Sequence, residues 1–139
     1  MKGNAPGPLA HHTTATHGEK IYLFGGIKPN GSTNKTLYEF DIASHTWSIV
    51  KREGQVPDEC DEHSSCLTND SFVIFGGFHG GVRTNDLYQF SFADMTWTKL
   101  STSQMAPSAR AGASITFTNG ILVAFGGKDE DNQRLNDIW

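Results

Sequence analysis

The sequence predicts an all-β protein built from a repeat of about fifty residues. Phe-Gly-Gly recurs at Phe24-Gly25-Gly26, Phe75-Gly76-Gly77 and Phe125-Gly126-Gly127, at spacings of 51 and 50 residues. Other residues keep the same phase. Tyr38 matches Tyr88, Trp47 matches Trp97, and Asn85-Asp86-Leu87-Tyr88 returns as Asn136-Asp137-Ile138-Trp139. Pro6, Pro57 and Pro107 each stand 18 residues before their phenylalanine, and His12, His63 and Ala113 stand 12 before. No segment has helical periodicity.

Each repeat reads as four strands. The first is small and polar: His12–Thr16, His63–Leu67 and Ala113–Phe117. The second is the apolar run into Phe-Gly-Gly: Ile21-Tyr22-Leu23, Phe72-Val73-Ile74 and Leu122-Val123-Ala124. It lacks polar alternation, as a short strand covered on both faces should. Gly18-Glu19, Asn69-Asp70 and Asn119-Gly120 join these two strands, and Asn-Gly is a strong two-residue hairpin signal.

The third strand alternates. Tyr38, Phe40 and Ile42 fall on one face, and Tyr88, Phe90 and Phe92 repeat them. The fourth opens at the tryptophan, Trp47-Ser48-Ile49-Val50 and Trp97-Thr98-Lys99-Leu100. The double glycine ends the second strand with dihedrals other residues avoid. Its bare backbone is expected to lie under the ring of the following Tyr or Trp. The third copy stops at Trp139, before its own tryptophan step.

Composition excludes several classes. A net charge of -4 gives no nucleic-acid signature. No apolar stretch reaches the roughly 18 residues of a membrane span. The opening residues have no apolar signal core, and two cysteines are too few for a disulfide scaffold. A cytoplasmic location is expected. Sequons at Asn30, Asn34 and Asn69 leave an extracellular one open.

Phe75-Gly76-Gly77, then Tyr88 eleven residues on and Trp97 nine further, resembles the kelch repeat. The motif style is most similar to Rab9-effector and leucine-zipper-like kelch proteins. Gly25, Gly26, Tyr38 and Trp47 carry the motif in the first copy, Gly76, Gly77, Tyr88 and Trp97 in the second, and Gly126 and Gly127 in the third. The family's Pro-x-x-Arg appears only at Pro107-Ser108-Ala109-Arg110, with Cys60 and Leu9 at the matched positions.

The resemblance implies a kelch-type β-propeller, incomplete here: two full four-stranded blades plus part of a third. Residues 1–139 form the repeat segment, with blades at approximately 6–56, 57–106 and, in part, 107–139. Propellers close with roughly 4–8 blades. Remaining blades or a second copy are therefore expected to close the ring.

Cys60-x-x-His63-x-x-Cys66 carries zinc-type ligands. Residues three apart on a strand face opposite ways, however, and no fourth ligand is evident. Cys66 is expected as a small core residue. No catalytic motif is present, so neither enzyme activity nor a cofactor or metal is expected.

The resemblance instead implies a protein-binding module acting as adaptor or scaffold. Its partner would be another protein or peptide, not nucleic acid or membrane. The alternatives are part of a propeller enzyme with catalytic residues elsewhere in a longer chain, or an architectural element.

In the family, loops after the second strand and between blades share one partner-binding face. Here they are 27–35, 78–84 and 128–135, with 56–62 and 106–110. They offer Lys28, Asn30, Phe78, His79, Arg83, Arg110 and Lys128, plus the acidic run Asp58, Glu59, Asp61 and Glu62. Such an acidic run is either a solvated loop or a patch for a basic partner.

Overall fold

The structure is a computed structural model that describes residues 1–102 and 105–139. Among these the regular elements are strands. The first sheet holds β1 (Lys2–Gly3), β2 (Ala10–His17), β3 (Lys20–Ile27), β4 (Tyr38–Asp41) and β5 (Thr46–Ile49). Three short strands, β6 (Cys60–Asp61), β9 (Phe78–His79) and β10 (Val82–Arg83), form a small separate sheet. The second large sheet holds β7 (Ser64–Leu67), β8 (Ser71–Phe75), β11 (Leu87–Ser91) and β12 (Thr96–Leu100). The third is the hairpin β13 (Ser114–Thr118) and β14 (Ile121–Phe125).

Both large sheets are antiparallel meanders in their last four strands, ordered β5-β4-β3-β2 and β12-β11-β8-β7. The two stacked meanders, with a third hairpin beyond them, have the architecture of an incomplete β-propeller. Cross-strand register puts Phe72, Phe90 and Trp97 on one face of the second sheet, with Ile74 and Tyr88 beside them. That face packs on Tyr22 and Phe24 of the first sheet in a single core cluster. Phe24 lies 5.1 Å from the Trp97 ring, and Tyr22 lies 6.1 Å from Phe90. β8 is buried along its whole length because the third sheet covers its other face. This accounts for the lack of polar alternation in β8, whereas β14 is exposed at Ile121 and Phe125.

Burial at matched positions tracks the stacking. Phe24 and Phe75 are 0% and 5% exposed, while Phe125, with no described sheet beyond it, is 53% exposed. Trp97 is buried between sheets, whereas Trp47 is only half-buried.

The structure corrects the expectation about the double glycines. The nearest atoms that a side chain at Gly25, Gly26, Gly76 or Gly77 would meet belong to no Tyr or Trp. A side chain at Gly76 would meet the Arg110 carbonyl oxygen at 2.6 Å, and one at Gly25 would meet that of Cys60 at 2.5 Å. One at Gly77 would strike the backbone of Asp61 and His63. The first glycine therefore admits the backbone of the next repeat, and the second admits its own. Both also need positive φ, 63° at Gly76 and 89° at Gly77.

The first sheet has a fifth strand that the repeat count did not predict. β1 pairs in parallel with β5, Lys2 opposite Thr46 and Gly3 opposite Trp47. The second sheet has the matching bridge, Gly54 parallel to Trp97. The Trp97 N–H donates to the Glu53 carbonyl at 2.9 Å, and Gln55 N–H donates to the Trp97 carbonyl at 2.8 Å. Hydrogen bonding thus crosses the boundary expected between residues 56 and 57.

β7 lies against β2 on one side and β13 on the other. Side chains bridge these neighbours. Thr13 Oγ1 sits 2.6 Å from His63 Nε2, and the Ser64 hydroxyl donates to the Ala113 carbonyl. Burial pushes the His63 imidazole down to about 3, so the ring is neutral at physiological pH. Cys60, not Cys66, is the fully buried cysteine, because it occupies the matched position of Arg110 at a sheet junction.

Candidate interaction face

The loop sheet has the order β10-β9-β6. β9 and β10 form a hairpin with His79 opposite Val82, closed by Gly80 and Gly81. Both turn glycines have positive φ, 59° and 83°, as a type I′ hairpin turn requires. β6 pairs with the other edge of β9, Cys60 opposite His79 and Asp61 opposite Phe78. The acidic run and the Phe78-His79 pair, read separately from the sequence, are thereby brought side by side.

The four acids do not form one patch. Asp58 and Glu59 are exposed and line a groove of about 370 Å³ with Lys35, Arg52, His79 and Gly80. Asp61 and Glu62 are half-buried. Glu62 pairs with His11 at 3.4 Å. Donor atoms of His11, Asp61 and Glu62 lie within 4.8 Å of one another, close enough to hold a cation. Burial, then the neighbouring Glu62 carboxylate, raises the Asp61 carboxyl above its ordinary value. His11 and Glu62 hold matched positive φ, 58° and 51°, where the third repeat has Gly112 at 65°. The Glu62 N–H donates to the His11 carbonyl at 3.3 Å, and the Gly112 N–H to the Glu62 carbonyl at 2.8 Å.

Other predicted residues have individual settings. The Arg83 guanidinium lies 4.7 Å over the Phe78 ring. It also donates to Asn132 Oδ1 at 2.6 Å, tying β10 to the loop of the third repeat. Its buried Nε has no hydrogen-bond partner. His79 stacks on Tyr88 with centroids 6.2 Å apart and has Nε2 3.2 Å from the Gly76 carbonyl. Burial holds its imidazole below the ordinary value. Lys28, Asn30 and Lys128 are exposed but do not line the groove. Asn30 is occupied locally, its Oδ1 accepting from the Ser32 N–H and hydroxyl.

Arg110 is a correction. It was expected on the partner-binding face, but it is 1% exposed. Its guanidinium donates to both Asp137 carboxylate oxygens, at 2.7 and 2.9 Å, and to the Gly126 carbonyl at 3.0 Å. It is a clamp inside the third repeat. Where Cys60 replaces the arginine, the matched Asp86 pairs with Lys99 at 2.8 Å instead.

The Arg110 guanidinium, then the Trp139 indole N–H, holds the Asp137 carboxyl well below its ordinary value of 3.8. A depressed carboxylate stabilises the fold above the unfolded value, and this contribution is lost as pH falls through the folded one. Denaturant midpoints of the wild type should therefore decline on acidification below about pH 4. Asp137→Asn should start lower and lose less over that range. Parallel pH profiles for the two proteins would remove the clamp from the account.

The sequence reading missed Lys35 and Arg52, which line the groove together with Asp58 and Glu59. Arg52 also donates to the Pro57 carbonyl at 3.5 Å, at the approach to the acidic run. It missed the loop sheet as well, though Gly80-Gly81 between Phe78-His79 and Val82-Arg83 is itself a hairpin signal.

Comparison with known proteins agrees with the architecture. A family model described as the KLHDC2/KLHL20/DRC7 Kelch-repeats domain matches residues 1–139. Kelch domain-containing protein 3 of Bos taurus is 34% identical over 67 residues, 48% of this chain and 18% of that protein. The N-(sulfonatooxy)prop-2-enimidothioate sulfolyase of Thlaspi arvense is 45% identical over 56 residues, 40% of this chain and 16% of the enzyme. The Leucine-zipper-like transcriptional regulator 1 homolog of Drosophila melanogaster is 31% identical over 90 residues, 60% of this chain and 9% of that protein. The chain thus spans less than a fifth of these relatives. The solved structure of YjhT superposes with a TM-score of 0.76 at 21% identity, over 93% of this chain and 46% of that one.

Proposed function

The chain belongs to the kelch-repeat family, and from that premise we propose that it is a protein-binding module of the adaptor or scaffold kind. Its binding face is the loop sheet and the adjoining groove, and its ligand is a segment of another protein. The carrying observation is the groove itself. Four separate stretches of chain supply Lys35, Arg52, Asp58-Glu59 and His79-Gly80 to one recess. Among the described residues, Lys35, Asp58 and Glu59 form no ion pair. Charged groups of both signs, fixed on a rigid frame and not spent on each other, orient a polar partner and speed its encounter.

Panning a displayed peptide library on the purified chain tests the reading. Selected peptides should bind more weakly at high salt. They should lose about tenfold or more in affinity for the Asp58→Asn, Glu59→Gln double variant. That variant touches only exposed side chains, whereas His79 and Arg83 also hold the loop sheet together. Equal affinity for both proteins would remove the groove from the site. A catalytic role has one observation in its favour, the local likeness to the sulfolyase. Turnover of a thiohydroximate-type substrate by the purified chain would favour it.

A further inference from the structure

A chelating cluster bridges the first two repeats at the edge of the loop sheet. His11 comes from β2 and Asp61 from β6, and Glu62 follows it. The backbone brings them together. The Glu62 N–H donates to the His11 carbonyl at 3.3 Å, and Asp61 is held opposite Phe78. His11 Nδ1 lies 3.4 Å from Glu62 Oε1. One donor atom of each residue falls within 4.8 Å of the others, the only such trio among the described residues. Ligands about 2.0–2.2 Å from a tetrahedral zinc ion stand about 3.3–3.6 Å apart, so small rotamer changes seat one. The Cys60-x-x-His63-x-x-Cys66 spacing gives no such trio. Cys60 Sγ lies 3.4 Å from His63 Nδ1, and burial raises the thiol far above its ordinary value.

The charges of the cluster are unbalanced. Glu62 pairs with His11, and Asp61 has no ion-pair partner among the described residues. One imidazole offsets one carboxylate at most. Both acids are half-buried, where their mutual repulsion is poorly screened. His11 and Glu62 also hold φ of 58° and 51°, which Gly112 supplies in the third repeat. Each position thus carries a metal-ligating side chain where glycine is the easier residue.

We infer that His11, Asp61 and Glu62 bind a divalent transition-metal ion of the zinc type, which ties the first repeat to the second. One imidazole with two carboxylates fits zinc better than the all-oxygen sets that hold magnesium or calcium. Three protein ligands leave a fourth position open, and the His11 side chain is 53% exposed, so water reaches it. The groove lining includes none of the three residues.

Zinc chloride titrated into the untagged chain should give saturable one-to-one binding by calorimetry. Glu62→Gly should bind at least about tenfold more weakly, since a lost ligand costs no less than a lost supporting group. Glycine takes the φ at that position readily, and Glu62→Gln, of nearly the same shape, should show the same loss. Cys66→Ala should bind as the wild type does. An approximately tenfold excess of magnesium should leave zinc in place. Zinc should raise the melting temperature of the wild type and leave that of Glu62→Gly unmoved. No saturable binding, undiminished affinity in both Glu62 variants, loss of binding in Cys66→Ala, or displacement by magnesium would each overturn the site.

Discussion

Gly76→Ala should destabilise the protein by roughly 2–5 kcal/mol, against roughly 1–2 kcal/mol for Gly80→Ala. The two glycines have nearly the same backbone, φ 63° and 59°, so an alanine suffers the same left-handed strain at each. They differ in what a side chain would meet. At Gly80 nothing lies within 4 Å, but at Gly76 the Arg110 carbonyl oxygen lies 2.6 Å away. That oxygen accepts the Gly77 N–H at 2.8 Å, so relieving the clash breaks a bond between the second and third repeats. Melting curves of the two variants check this. The Gly76 variant should melt at least about 5 °C below the Gly80 variant. Equal shifts would mean that the double glycine serves local geometry alone.

Trp97→Ala should cost about 3–5 kcal/mol, the usual range for emptying an aromatic core site. Trp47→Ala, at the matched position, should cost less than about 2 kcal/mol. Trp97 contacts rings from both sheets, Phe24 at 5.1 Å and Phe90 at 5.2 Å. Trp47 packs on Phe40 at 4.9 Å within its own sheet and remains half-buried. Chemical denaturation of both variants separates a role in stacking from a role within each sheet. Similar losses would contradict the stacking.

The framework was legible because it depends on residue types with few substitutes. Only glycine fits at Gly25 and Gly76, and only large rings fill the space between sheets. Those demands recur with each repeat and print a period on the chain. Alternation at Tyr38–Ile42 and Tyr88–Phe92 marked strands with a single apolar face for the same reason.

What stayed hidden depends on pairing between distant segments. The parallel β1–β5 contact involves two residues at each side and leaves little compositional trace. Its one signal is Gly3 and Gly54 at matched positions, both with positive φ and both pressed on a tryptophan carbonyl. Arg110 was misplaced because arginine in a loop is ordinarily solvated. Its partner Asp137, in the recurrent Asn-Asp pair, could have indicated a buried clamp. The groove was half legible. Asp58, Glu59 and His79 were named from loop position, whereas Lys35 and Arg52 join them only through the packing of one repeat on the next.

The most direct test is chemical-shift mapping of a library-selected peptide on the isotope-labelled chain. The account predicts shifts at Lys35, Arg52, Asp58, Glu59 and the His79–Gly81 hairpin, with the first-to-second-strand turns at Gly18, Asp70 and Asn119 unmoved. Shifts concentrated at those turns, with the loop sheet silent, would contradict it.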